Sequence, residues 1–325
     1  MPNTPTDVVC IASWNADLVS HVSRPLNRGE TLLASAFSIS PGGKGSNASI
    51  AAARQGARVA LLARIGDDSF GQMGMDLWLS EGIKTGHVER VSGERSGVAQ
   101  ILVYDDGDNS IAVYPGAGSG LGQQQVFAAR QLITNCQVVM ASCEVPFEAT
   151  LQAFELAKAA GVTTLLNPAP ARPLPAGLLP LVDVLTPNEH ELLLLAGPEH
   201  SASVEVAANR LLALGAGAVV VTLGAAGCRL FQPDQSPLSL AGRKMPVLDT
   251  IGAGDTFTGT LAAALARGES LAIAMQWANA AAALSVTREG AVAGIPLQAE
   301  VAALLTLNCL RSGRGFPPPA GARVA

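Results

Sequence analysis

The sequence is poor in aromatics, in charge and in paired cysteines. Only 4% of its 325 residues are aromatic and 14% are charged, against roughly a quarter charged in ordinary soluble proteins. Lysine and arginine form no run, and 21 basic against 26 acidic residues leave a net charge of −5. A chain of this kind lacks the basic, aromatic-bearing footprint of a nucleic-acid binder. The five cysteines, Cys10, Cys136, Cys143, Cys228 and Cys309, are an odd set without Cys-x-x-Cys spacing. They suggest neither a zinc site nor a disulfide framework, and a cytoplasmic protein is expected. A long apolar run is also missing. The best candidate, Leu271 to Thr287, contains Gln276 and Asn279 and falls short of the ~20 residues a membrane-spanning helix needs. Met1 to Asp7 is polar, with two prolines, and lacks the basic and apolar regions of a secretory signal.

Apolar residues (49%) and glycine (34 residues) are abundant, so a large core is expected and disorder at low hydrophobicity is excluded. Short β-branched runs alternate with alanine- and leucine-rich stretches, the pattern of βαβ units around a parallel sheet. Strands are expected at Val8 to Ala12, Val59 to Ala63, Gln137 to Met140, Thr163 to Leu166, Val182 to Thr186 and Ala218 to Thr222. Helices are expected at Thr150 to Ala160, Ser203 to Leu214 and Thr256 to Ala266. Two stretches break this rhythm. Ser96 to Tyr114 holds two alternating runs around Asp105-Asp106-Gly107-Asp108, a hairpin by its turn chemistry, and Thr31 to Ser40 alternates as well. Together with early strands they are expected to form a small separate sheet, a lid. One domain over residues 1–310 is expected, with lid strands from about 12–20, 31–40 and 96–115. The tail, 311–325, with three consecutive prolines, is expected to be disordered.

Three polar segments carry the chemistry. In Asp249-Thr250-Ile251-Gly252-Ala253-Gly254-Asp255-Thr256-Phe257, glycines permit a tight turn into a helix whose first amides and positive dipole end favour an anion. Asp255 among those amides is expected to be ionised and able to accept a hydroxyl proton. A plain N-cap role for Asp255 fits the same segment. The second segment is Pro41-Gly42-Gly43-Lys44-Gly45-Ser46-Asn47. It is not a Walker A loop, since Ser38 stands at the first glycine position and Gly45 follows the lysine. Gly43-x-Gly45-x-x-Ala48 matches a dinucleotide fingerprint only weakly, with no strand–turn–helix context expected around it. Bare backbone there suits close approach of a polyhydroxylated ligand, with Lys44 and Asn47 one turn apart; a glycine-rich helix start with a solvated lysine is the alternative. Third, Asn15 and Asp17 share one face of an extended chain, with Trp14 on the other, an arrangement suited to vicinal hydroxyls.

Taken together with Asn167-Pro168-Ala169-Pro170-Ala171-Arg172 and Thr186-Pro187-Asn188-Glu189, these segments resemble the PfkB/ribokinase family of carbohydrate kinases from about Val8 to Pro296. The resemblance implies a three-layer α/β/α fold with a mostly parallel central sheet and a small β-sheet lid, and a homodimer joined through the lids. It implies transfer of the ATP γ-phosphoryl group to the 5-hydroxyl of D-ribose. Another sugar or a nucleoside is the alternative acceptor, and an inactive sugar- or nucleotide-binding protein is less favoured. Asp255 would be the base, and the Gly252, Ala253, Gly254 and Asp255 amides the anion hole. Asn15, Asp17, Gly43, Lys44, Asn47 and Glu144 would hold the sugar. Asn188 and Glu191 would act near the nucleotide phosphates and Mg²⁺, with Thr222, Gly224, Gly227, Gly254 and Asn279 lining the nucleotide site. Asp249 and the carbonyls of Ile251, Ser285, Arg288 and Gly290 would hold a monovalent cation, K⁺. There the sequence departs from the family, with Gly294 in place of a serine. No nucleic acid or membrane partner is implied.

Overall fold

The structure, a computed structural model, describes residues 5–312. In chain order the strands are β1 (Val8–Ile11), β2 (Asn15–His21), β3 (Ala36–Gly42), β4 (Val59–Gly66), β5 (Lys84–Val91), β6 (Gly97–Val103), β7 (Asn109–Tyr114), β8 (Val138–Ser142), β9 (Thr163–Asn167), β10 (Val184–Leu185), β11 (Val219–Thr222), β12 (Gly227–Phe231) and β13 (Leu238–Ala241). The helices are α1 (Lys44–Arg54), α2 (Ser69–Ser80), α3 (Gln123–Ala128), α4 (Arg130–Thr134), α5 (Phe147–Ala159), α6 (Glu189–Ala196), α7 (Val204–Ala213), α8 (Ala253–Ala266), α9 (Leu271–Ser285), α10 (Ala291–Gly294) and α11 (Gln298–Ser312).

Nine strands form the main sheet in the order β13-β12-β11-β10-β9-β8-β1-β4-β5. It is parallel from β11 through β5, and the β11–β12 and β12–β13 pairs are antiparallel. Alternate residues of β1 show why a near-continuous apolar run was needed. Val8 and Cys10 enter one core with α1, α2, α8 and α9, whereas Val9 and Ile11 enter a second core with Phe154 of α5, Leu192 of α6 and Leu211 of α7. Helices on both faces bury the sheet twice, which accounts for the alanine-rich composition. Strands β3, β2, β6 and β7 form the separate small sheet. Its hairpin turns where the sequence predicts, with Gly107 at φ 88°, the Tyr104 amide bonded to the Asp108 carbonyl at 2.9 Å and the Asp108 amide to the Asp106 carboxylate at 3.0 Å.

The differences are local. Strand β5, KTGHVERV, escapes the pattern because it is a charged edge strand, mostly half-exposed. Helix α8 starts at Ala253, three residues before its expected start, behind Gly252 in the left-handed region at φ 75°. A strand–turn–helix does surround Gly43, since β3 ends at Gly42 and α1 begins at Lys44. That strand belongs to the small sheet and pairs antiparallel with β2, so the segment is still not the parallel βαβ unit of a dinucleotide fold. Residues 313–325 of the expected tail lie outside the described residues. Among the described residues, no helix is long and apolar enough to cross a membrane. Cys10, Cys136, Cys143 and Cys228 are buried free thiols.

Candidate active site

The carboxyl ends of parallel strands converge on one edge of the main sheet. Glu144 follows β8, Asn167 ends β9, Asn188 follows β10 and Thr222 ends β11. Ligands of open α/β sheets bind outside such ends. The start of α8 faces the same edge and carries Asp255, which is only 5% exposed. The Asp255 carboxylate accepts hydrogen bonds from Asn47 Nδ2 at 2.9 Å and from Asn167 Nδ2 at 3.4 Å. The N-cap alternative fails, because Gly252 occupies that position without any side-chain cap.

Burial pushes the pKa of Asp255 up to about 6, opposed mainly by the positive charge of Lys44 and by the Asn47 hydrogen bond, while Glu144 and Glu191 push it further up. The Lys44 charge and the Asn47 hydrogen bond therefore favour the ionised form of Asp255. Lys44 is held above the ordinary lysine range, chiefly by Asp255 and against its own desolvation, with help from Glu144, Glu191 and Asp17. Burial and the nearby Glu144 charge raise Asp17 to about 7, partly offset by Lys44. Asp17, Lys44, Glu144 and Asp255 thus form one cluster of mutually interacting charges.

Packing requires the glycines around this cluster. A Cβ on Gly43, whose φ is 93°, would lie 2.8 Å from the Ser13 carbonyl oxygen, and one on Gly45 would lie 2.6 Å from Ala12 Cα. On Gly42 it would strike the Asp17 carboxylate at 2.2 Å. Sequence reasoning missed the brace that fixes this loop. Glu144 Oε2 accepts from the Lys44 amide at 2.8 Å and from Ser13 Oγ at 2.6 Å, while Ser13 Oγ accepts from the Gly45 amide at 3.1 Å. The Asn167 contact was missed as well, although Asn167 opens a motif visible in the sequence. Asn15, 6% exposed, is buried at the start of β2. Asn47 keeps a buried Oδ1 without a hydrogen-bond partner, an acceptor ready for a ligand hydroxyl.

Thr222, Gly224, Gly227, Gly254 and Asn279 line one cavity of about 480 Å³, next to Ala253 and Phe257 of α8. Arg243, Lys244 and Val247 also line it, and nothing in their spacing marks them in the sequence. Asn279 donates to the Ala241 carbonyl at 3.0 Å. Of the anion-hole amides, that of Ala253 is turned back to the Thr250 carbonyl at 3.3 Å; Gly254 and Asp255 lie in the first turn, where helical amides lack intrahelical partners. Asn188 and Glu191 do not line this cavity. They cap α6 reciprocally, Asn188 Oδ1 accepting from the Glu191 amide at 2.8 Å and Glu191 Oε2 from the Asn188 amide at 2.9 Å. The Glu191 charge still acts on Lys44 and Asp255.

Asp249 ties two loops together, accepting from the Ile251 amide at 2.9 Å and the Gly290 amide at 2.8 Å. A Cβ on Gly294 would lie 2.8 Å from the Ser285 carbonyl oxygen and 3.7 Å from that of Arg288. Those two carbonyls therefore converge at Gly294, and carbonyl oxygens are the donors that suit a monovalent cation. Among the described residues, no group of three or more His, Cys, Asp or Glu side chains could hold a metal ion.

A buried carboxylate at a helix start, with a lysine charge acting on it and a cavity along the same helix turn, can accept a proton from a hydroxyl beside a bound ligand. The family model for pfkB family carbohydrate kinases matches residues 5–298, and the chain belongs to that family. It is similar to the ribokinase of Staphylococcus aureus, 38% identical over 298 residues that cover 90% of this chain and 98% of that protein. It is similar also to a deoxyribokinase of Salmonella typhi, 34% identical over 305 residues, covering 93% and 99%. The structure of Arabidopsis thaliana ribokinase complexed with ribose and ATP matches with a TM-score of 0.87 at 31% identity, over 93% of this chain and 99% of that one.

Proposed function

We propose that this kinase transfers the γ-phosphoryl group of ATP to the 5-hydroxyl of D-ribose. The observation that carries the proposal is the position of Asp255. Its neighbour Gly254 lines the cavity along α8, and its carboxylate accepts from Asn47 and feels the charges of Lys44 and Glu144. Asn15, Asp17, Asn47 and Glu144 hold the sugar, Lys44 keeps Asp255 ionised, and Asp255 takes the proton from the attacking hydroxyl. The Gly254 and Asp255 amides face the transferred group with the positive helix end behind them. Little covalent work falls to the protein in such a reaction; position and electrostatics dominate.

The adenine nucleotide occupies the cavity of Thr222, Gly224, Gly227 and Asn279, whose positive-φ glycines (53° at Gly224, 98° at Gly227) bring bare backbone to it. Glu191 and Asn188 are the residues that would hold Mg²⁺ near the phosphates, where the ion would supply neutralising positive charge. K⁺ would sit by Asp249, Ile251, Ser285, Arg288 and Gly290, bracing the anion hole, and Gly294 leaves it one hydroxyl short of the family pattern. The small sheet acts as a lid over the sugar and joins two copies; its exposed Phe37, Ile39, Ile111, Val113 and Tyr114 support this. The free thiols fit a cytoplasmic setting. A deoxyribose acceptor is the second reading, favoured only by the Salmonella relative, and the buried Asn15 beside Asp17 favours a sugar with one more hydroxyl.

Asp255→Asn tests the assignment. The turnover rate is expected to fall by about 10²- to 10⁴-fold while calorimetric ribose binding persists. A variant with the parental rate would contradict it.

A further inference from the structure

We propose that Trp14 is the pivot of the lid, a positioning residue that sets the height of Asn15 and Asp17 over Asp255; this rests on the kinase assignment above. The chain passes between the main sheet and the small sheet four times: at Trp14 before β2, at Gly43 after β3, at Ser96 before β6 and at Pro115 after β7. These passages meet on the Trp14 backbone. A Cβ on Gly43 would lie 2.9 Å from Trp14 Cα, and one on Gly97 would lie 2.3 Å from the Trp14 carbonyl oxygen and 3.3 Å from that of Pro115.

The indole anchors that junction to the main domain. It is 3% exposed, and Nε1 donates to the Phe70 carbonyl of α2 at 3.1 Å. A Cβ on Gly74 would approach its Cε2 to 2.8 Å, so α2 carries a glycine where the ring packs against the helix. Trp78, on the same helix, meets the ring edge to face at 5.3 Å and 74°. Trp78 Nε1 in turn donates to Ser46 Oγ at 2.8 Å, one residue before Asn47, which holds Asp255. A single packed chain, Trp14–Trp78–Ser46–Asn47–Asp255, therefore links the hinge that bears the sugar-side residues to the base. A rigid bicyclic ring at this point limits how far the lid can rock. A smaller side chain leaves a cavity at the hinge and lets Asn15 and Asp17 drift from the sugar.

The test compares Trp14→Phe, which keeps a ring but loses the N–H, with Trp14→Leu, which loses both. The expected result is a ribose KM raised on the order of tenfold in Trp14→Phe and up to a hundredfold in Trp14→Leu, with the KM for ATP at the parental value. In a Trp277→Phe background, saturating ribose is expected to change tryptophan emission, and Trp14→Phe is expected to remove that change. Folded variants with the parental ribose KM, or an emission change that survives in Trp14→Phe, would overturn the proposal. Should Trp14→Leu fail to fold, Trp14→Phe and the emission experiment decide alone. A parent that leaves ribose untouched overturns the substrate assignment instead, and the same variants are then compared on the sugar it does phosphorylate.

Discussion

At the scale of single residues, the active site is a problem of charge in a small buried volume. One lysine stands among four carboxylates, those of Asp17, Glu144, Glu191 and Asp255. Because Asp255 is raised to about 6, the proton acceptor is lost as the pH falls through that value, so kcat/KM for the sugar is expected to drop on the acid side. Asp17, raised to about 7, titrates in the same range, and the limb belongs to the cluster rather than to either group. Lys44 favours the charged form of Asp255. Lys44→Met is therefore expected to move the acid limb of kcat to higher pH, and a pH–rate profile with an unmoved limb would show that another group keeps Asp255 ionised. Asp255, Lys44 and Asn47 were legible in the sequence as residue types at a helix start. The raised pKa of Asp255 was not, because its burial, the Lys44 charge and the Asn47 hydrogen bond bring together segments more than two hundred residues apart. Ser13 was invisible because its partners, the Glu144 carboxylate and the Gly45 amide, lie 131 and 32 residues away along the chain.

At the scale of elements, the strands that begin or end in apolar β-branched runs were legible, and the boundaries that depend on packing were not. Glycine in α8 illustrates the difference. A Cβ on Gly259 would lie 2.0 Å from the Ala48 carbonyl oxygen of α1, a contact between two helices that no local pattern displays. Gly259→Ala is expected to force these helices apart, at a cost of about 1–3 kcal/mol, read as a lower denaturation midpoint; an unchanged midpoint would mean the helices adjust freely. Helix α6 poses the opposite question, since Asn188 and Glu191 cap it and are also assigned to the phosphates. Asn188→Ala is expected to lose both about 1 kcal/mol of stability and turnover. Asn188→Ser is expected to regain the melting temperature without the rate; a fully active serine variant would leave capping as the whole role of Asn188.

At the scale of the whole molecule, nine strands bury two cores while one small sheet stands apart. The fold class was legible because the βαβ rhythm is a repeated, local signal, and the hairpin of β6 and β7 because its turn residues are. The convergence of strand ends, the cavity along α8 and the packing around Trp14 follow from tertiary contacts that no local pattern displays. The apolar side chains exposed on the small sheet, Phe37 and Ile111 among them, belong to the proposed dimer face. Sedimentation of Phe37→Asp/Ile111→Asp is expected to give a monomer where the parent gives a dimer, and a monomeric parent would refute that assembly. The central claim is ribose phosphorylation, and the most direct measurement is ATP consumption by the purified chain with D-ribose, 2-deoxyribose, hexoses and nucleosides, with and without K⁺, and the product identified by NMR. The account predicts fast consumption with D-ribose, ribose 5-phosphate as product and little ATP hydrolysis without sugar. Fast hydrolysis without sugar, or preference for another acceptor, would contradict it.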